Sequence, residues 1–78
     1  MKKRGRPDIQ ERFGFAVKVR REELGLTQED LAERAGIHRT YLSDIERGGR
    51  NPSLVNIDRL AKGLMLPPSE LFRLMEKS

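Results

Sequence analysis

From Asp8 onward, apolar residues recur at steps of three and four, and glycine, proline and capping residues divide the pattern into five pieces. Ile9, Phe13, Ala16, Val17 and Leu24 lie on one stripe of 3.6-residue period, which predicts a first helix from about Ile9 to Leu24, closed by Gly25. Thr27 suits the N-cap of a second helix, Gln28 to Ala35, and Glu29 and Asp30 place negative charge where the helix dipole favours it. Gly36 ends that helix as a left-handed C-cap. A third helix is expected from about His38 to Arg47, with Ile37, Leu42 and Ile45 facing inward and Gly48 and Gly49 stopping it. Ser53 caps a fourth that runs through about Lys62, with Leu54, Ile57, Leu60, Ala61 and Leu64 as its inner face. A fifth begins at Pro67 or Pro68, where the missing N–H costs nothing. It runs to about Met75 and presents Leu71, Phe72, Leu74 and Met75.

Composition supports this all-α reading of a compact five-helix domain. Ten Leu and four Ala stand against seven Val plus Ile, a balance that favours helices over a sheet. At 78 residues the chain is near the lower limit for a core that folds unaided, and without cysteine it has no disulfide to help. A lone His38 cannot assemble a metal cage, so neither a metal nor a cofactor is expected. No apolar run approaches the length of a membrane span or a secretory signal, and the expected location is the cytoplasm.

Charge adds a partner class. Sixteen Lys and Arg against twelve Asp and Glu leave a formal +4, which suits a polyanion. The excess lies in Lys2, Lys3, Arg4 and Arg6, so residues 1–7 read as a flexible basic arm ahead of a domain over 8–78. Arg4-Gly5-Arg6-Pro7 resembles the core of an AT-hook, which places Arg4 and Arg6 as candidates for the minor groove. The plainer reading of the arm is a non-specific attraction to phosphate.

The run from Gln28 to Arg47 is the most specific signal. Two short helices joined by a tight turn must cross steeply and pack closely. Counting Gln28 as position one, position five must be small and is Ala32; position nine must tolerate positive φ and is Gly36. Apolar residues are needed at positions four, eight, ten, fifteen and eighteen, and Leu31, Ala35, Ile37, Leu42 and Ile45 fill them. These residues resemble the lambda-repressor/Cro-like helix-turn-helix family, also called the XRE family, over residues 13–75. The run GIHRTYLSDIERGGRNPSL is most similar to the small controller proteins of restriction–modification systems. Two departures stand out: Pro67 replaces the usual Ser or Thr cap, and Arg20 replaces an apolar residue of the first helix.

The resemblance implies a function for particular residues. The third helix would enter the major groove by its N-terminal end, with Arg39, Thr40, Tyr41, Ser43 and Asp44 as base-contact candidates. Arg39 suits the two acceptors of a guanine edge, and Asp44 would accept from a cytosine amino group or steer Arg39. Thr27, Gln28, His38, Arg50, Asn51 and Ser53 are the phosphate-contact candidates. Arg21 and Glu46 match the positions of a partly buried ion pair. Leu64, Met65, Leu66, Leu71, Phe72 and Met75 are mostly core, with a surplus that would form a homodimer interface.

The function implied is a sequence-specific transcription regulator that binds a palindromic stretch of double-stranded DNA as a homodimer. The alternative is a helix-turn-helix protein-interaction module or antitoxin-like repressor whose main partner is a protein. No nucleophile–base pair, phosphate-binding loop or metal-ligand spacing supports an enzyme, no membrane is implicated, and no small-molecule ligand is expected.

Overall fold

The order of elements is α1 (Ile9–Glu23), α2 (Gln28–Ala35), α3 (Arg39–Glu46), α4 (Leu54–Gly63) and α5 (Pro68–Lys77). The structure is a computed structural model that describes residues 8–77. The expected basic arm, with Arg4 and Arg6, lies outside the described residues, and among those described there is no strand.

Local chemistry sets most helix ends. Asp8 caps α1 in a reciprocal box with Glu11: the Glu11 amide donates to Asp8 Oδ1 at 2.9 Å and the Asp8 amide to Glu11 Oε1 at 3.1 Å. Thr27 and Asp30 form the same box at α2, while at α4 Ser53 accepts the Asn56 amide. Gly36 closes α2 at φ 71°, ψ 35°, in the left-handed region a side chain would strain. The α4–α5 turn is less comfortable, because Met65 adopts φ 62° without being a glycine.

α1 packs on α3 and α5, α2 on α3 and α4, and α4 on α5, around one apolar centre. Val17, Leu31, Leu42, Ile45, Leu60, Leu64 and Leu71 are its fully buried large side chains. Each contributes roughly 1.5–3 kcal/mol by leaving water. Phe13 on α1 meets Phe72 on α5 with ring centroids 6.4 Å apart.

Gly14 is a packing determinant that the apolar pattern does not show. A Cβ there would lie 2.1 Å from the Ile45 carbonyl oxygen and 2.8 Å from that of Glu46. The backbones of α1 and α3 meet directly at this point.

Several expectations are corrected. Ile9 is exposed, because the first turn of α1 overhangs the core. Leu54, expected on the inner face of α4, is 79% exposed: the buried residues of α4 are confined to its C-terminal half, and its first turn projects past them. Ile37 packs half-buried against the core, as expected, while α1 ends one residue earlier and α3 is one residue shorter at each end, with Leu24, His38 and Arg47 as caps. Leu64 and Leu71 are wholly within the core and Met75 nearly so, leaving them no surface to give a second subunit. Of that expected dimer set, Met65 is exposed and Leu66 and Phe72 are partly so.

Candidate nucleic-acid interface

The pairing of α2 with α3 follows from the steric positions already identified. Leu31, Ala32, Ala35, Leu42 and Ile45 are all buried between the helices and their neighbours. The Ile37 amide donates back to the Ala32 carbonyl at 3.0 Å, locking the turn around Gly36. Because the Thr27–Asp30 box satisfies only two donors, the amides of Gln28 and Glu29 are left facing out of the end of α2. The Asp30 carboxyl is lowered below its ordinary pKa, first by the Thr27 amide and then by the Thr27 hydroxyl.

Behind this end sits a buried ionic cluster. Arg21 Nε donates to Glu46 Oε2 at 2.7 Å and Nη2 to Oε1 at 3.0 Å, a two-pronged pair joining α1 to the end of α3. Arg21 Nη1 also donates to the Leu26 carbonyl at 2.8 Å, and Gln28 Nε2 donates to Glu46 Oε1 at 3.0 Å. The side chains of Arg21 and Glu46 are 11% and 4% exposed. Hydrogen bonding to Glu46 raises the Arg21 pKa further, outweighing the burial that lowers it. The expected ion pair is thus present, and it engages more than expected: the Gln28 side chain, a phosphate-contact candidate, is committed to Glu46. What Gln28 offers outward is its amide.

The outer face of α3 divides into two parts. Arg39 and Thr40, in its first turn, are exposed, and their side chains make no hydrogen bond or ion pair among the described residues. One turn later the side chains are tied to one another. Asp44 pairs with Arg47 through Oδ1 and with Arg50 Nε through Oδ2 at 3.4 Å, while Arg47 Nη1 donates to Ser43 Oγ at 2.7 Å. The Arg50 guanidinium also lies over the Tyr41 ring, 5.4 Å from its centroid. The Tyr41 hydroxyl accepts from Asn56 Nδ2 at 3.2 Å. Tyr41 is half-buried against the core, with its hydroxyl end tied to α4.

Asp44 therefore does not steer Arg39; its partners are Arg47 and Arg50. His38 occupies the N-cap position of α3 without a side-chain capping bond, Ser53 is used as the cap of α4, and Asn51 is exposed in the loop between them. Sequence reasoning passed over Arg47 and Asn56. Arg47 had a legible signal, since Ser43 and Asp44 stand four and three residues before it. Asn56 had none, because its partner is fifteen residues away. Arg20, the departure in the first helix, donates from Nε to the Leu64 carbonyl at 3.1 Å and so satisfies the C-terminal end of α4.

This surface can offer a helix N-terminus and an unpaired arginine to an anionic partner with flat acceptor edges. The helix-turn-helix family pattern matches residues 17–71, and the chain belongs to that family. Its relatives are specific within it. It is 46% identical over 71 residues to control protein C.MunI of Mycoplasma sp, covering 90% of this chain and 96% of that one. Against control protein C.BamHI of Bacillus amyloliquefaciens it is 47% identical over 60 residues, covering 76% and 74%. The crystal structure of the restriction-modification controller protein C.AhdI from Aeromonas hydrophila superposes with TM-score 0.79 at 46% identity, over 81% of this chain and 96% of that chain. The controller protein C.Esp1396I, as a tetramer in complex with its natural 35 base-pair operator, superposes at TM-score 0.84 and 35% identity, over 92% and 95%. The family is one of regulators rather than enzymes. Among the described residues no helix is long and apolar enough to cross a membrane.

Proposed function

We propose that the chain is a sequence-specific DNA-binding transcription regulator, of the controller kind, that binds a palindromic operator as a homodimer in the cytoplasm, at the nucleoid when bound. The observation that carries this reading is the free pair Arg39 and Thr40, exposed at the N-terminal turn of α3 on a helix fixed behind by the Arg21–Glu46 cluster. An arginine so placed offers two parallel donors to guanine O6 and N7, a pairing worth roughly 1–3 kcal/mol of discrimination. The Gln28 and Glu29 amides, with Arg50 and Asn51, flank it as phosphate contacts. Relatives named control proteins, and one controller protein solved in complex with its natural operator, favour this over a protein-docking module.

The dimer face on this reading is the apolar surface the core leaves uncovered. Leu54 and Val55, 79% and 60% exposed on the first turn of α4, stand in the chain between Pro52 and Ile57, which with Ile9 and Phe72 line an apolar groove. Two recognition helices in successive major grooves lie about 34 Å apart, which makes the operator an imperfect palindrome. The basic arm at 1–7 adds up to four phosphate contacts per subunit.

Selection of bound sequences from a random DNA pool tests the reading, followed by binding of Arg39→Ala to single-base variants of the selected site. The expected result is a symmetric site and a loss of roughly 1–3 kcal/mol confined to one base position in each half. A pool that yields no enriched sequence overturns it. Val55→Asp should yield monomers by sedimentation; unchanged dimers would move the interface elsewhere.

A further inference from the structure

We propose that Asp44 is a specificity-determining residue that acts as an internal stand-in for DNA phosphate: it holds Arg47 and Arg50 in the free protein and so suppresses binding to non-cognate DNA. The proposal rests on the DNA-binding reading above. Asp44 sits in the last turn of α3 with its two carboxylate oxygens directed to different arginines, one at the end of its own helix and one in the loop before α4. Both arginines are well exposed, with side-chain exposures of 67% and 53%, against 23% for Asp44. Arg47 is further held by Ser43, and Arg50 by the face of Tyr41. The two guanidinium groups that stand beside the recognition helix, where phosphates would pass, thus already have an anion.

Binding to random DNA comes almost wholly from neutralising phosphates and releasing their counterions. Asp44 works against that binding twice, by occupying the donors and by adding a negative charge where the backbone approaches. Binding to the operator loses less, because Arg39 and Thr40 stand outside the network and keep their base contacts. A carboxylate at this position therefore lowers non-specific affinity more than specific affinity. Exposed pairs of this kind are worth little in stability and exchange readily, so a phosphate can displace the carboxylate.

The test measures binding of the full chain to its selected operator and to a random duplex across salt, for wild type, Asp44→Asn, and Asp44→Asn combined with Arg47→Ala and Arg50→Ala. The triple variant is compared with the Arg47→Ala/Arg50→Ala double variant. Asn keeps the shape of the side chain and removes its charge. Freeing one net positive charge per subunit should steepen the salt slope for random DNA by about one. By the same relation it should tighten that binding roughly fivefold at ~0.15 M salt. Operator affinity should rise less, so the ratio of operator to random affinity falls, and the gain should vanish when both arginines are absent. A gain that persists without the arginines overturns the proposal in favour of simple repulsion. A loss at one base pair of the operator makes Asp44 a base reader instead, and no change at all makes it inert. If wild type already fails to prefer its selected operator, the DNA-binding reading fails as well; if it prefers the operator and only Asp44→Asn is silent, this proposal alone fails.

Discussion

Two arginine–carboxylate clusters are built on the same short helix, two residues apart, and they behave as opposites. Glu46 turns inward to α1, where Arg21 grips it with two hydrogen bonds and Gln28 adds a third. Asp44 turns about 200° away on a helix of 3.6 residues per turn and faces Arg47 and Arg50 in solvent. The groups are chemically alike, so the difference lies in the surroundings. With both charges withdrawn from water, losing one partner strands the other, and the pair becomes a fixed joint. With water at hand, each arginine has another partner available, and the pair becomes a contact that can exchange.

The largest effect expected is from breaking the buried cluster. Glu46→Ala leaves Arg21 without its anion and Gln28 without its acceptor, and should cost about 3–5 kcal/mol. Urea unfolding at fixed protein concentration measures it, and a loss below about 1 kcal/mol would make the two clusters equivalent. Gly14→Ala comes next and sharpens the comparison through its sign. Helix propensity alone predicts a gain of about 1 kcal/mol, whereas the clash of a Cβ with the Ile45 and Glu46 carbonyls predicts a loss of roughly 1–3 kcal/mol. A raised melting temperature would show that α1 need not approach α3 so closely to seat the Arg21–Glu46 pair.

The exposed cluster should give a much smaller stability change. Arg47→Ala should alter unfolding free energy by no more than about 1 kcal/mol, while making the salt dependence of DNA binding shallower. An unfolding loss comparable with that of Glu46→Ala would make the exposed cluster as much a structural joint as the buried one. The smallest effect concerns Asp30. Its folded pKa is lowered by Thr27, so the stability it adds is present above the ordinary aspartate pKa and is lost as pH falls through the lower folded value. Acid titration of unfolding free energy should accordingly be flatter in Asp30→Asn below about pH 4 than in the parent. Coincident curves would mean the cap at α2 carries no proton linkage.

Much of this was open to sequence reading where the physics is local. Thr27 and Gly36 bracket α2, and Ala32, Leu31, Ala35, Leu42 and Ile45 pack as the helix-turn-helix spacing requires. Periodicity could not tell Leu54 from Leu60: both lie on the apolar face of α4, but only Leu60 has another helix over it. Likewise Leu64 and Leu71 count as apolar surplus in a list of residues, yet the fold consumes them completely. The partners of Asp44 were half legible. Arg47 follows it by one helical turn, whereas Arg50 reaches it only because the loop after Gly48 folds back.

The sequence by itself determined five helices, the caps of α2 and α4, the tight turn at Gly36 between α2 and α3, and Arg39 at the start of α3. All of these depend on residues within a few positions of one another, where backbone geometry and helix period leave little choice. Only the tertiary structure decided which carboxylate became a buried joint and which an exchangeable contact. The fate of a charge depends on how much water its neighbours exclude. Those neighbours, Arg21 for Glu46 and the loop carrying Arg50 for Asp44, are brought there by the packing of other elements.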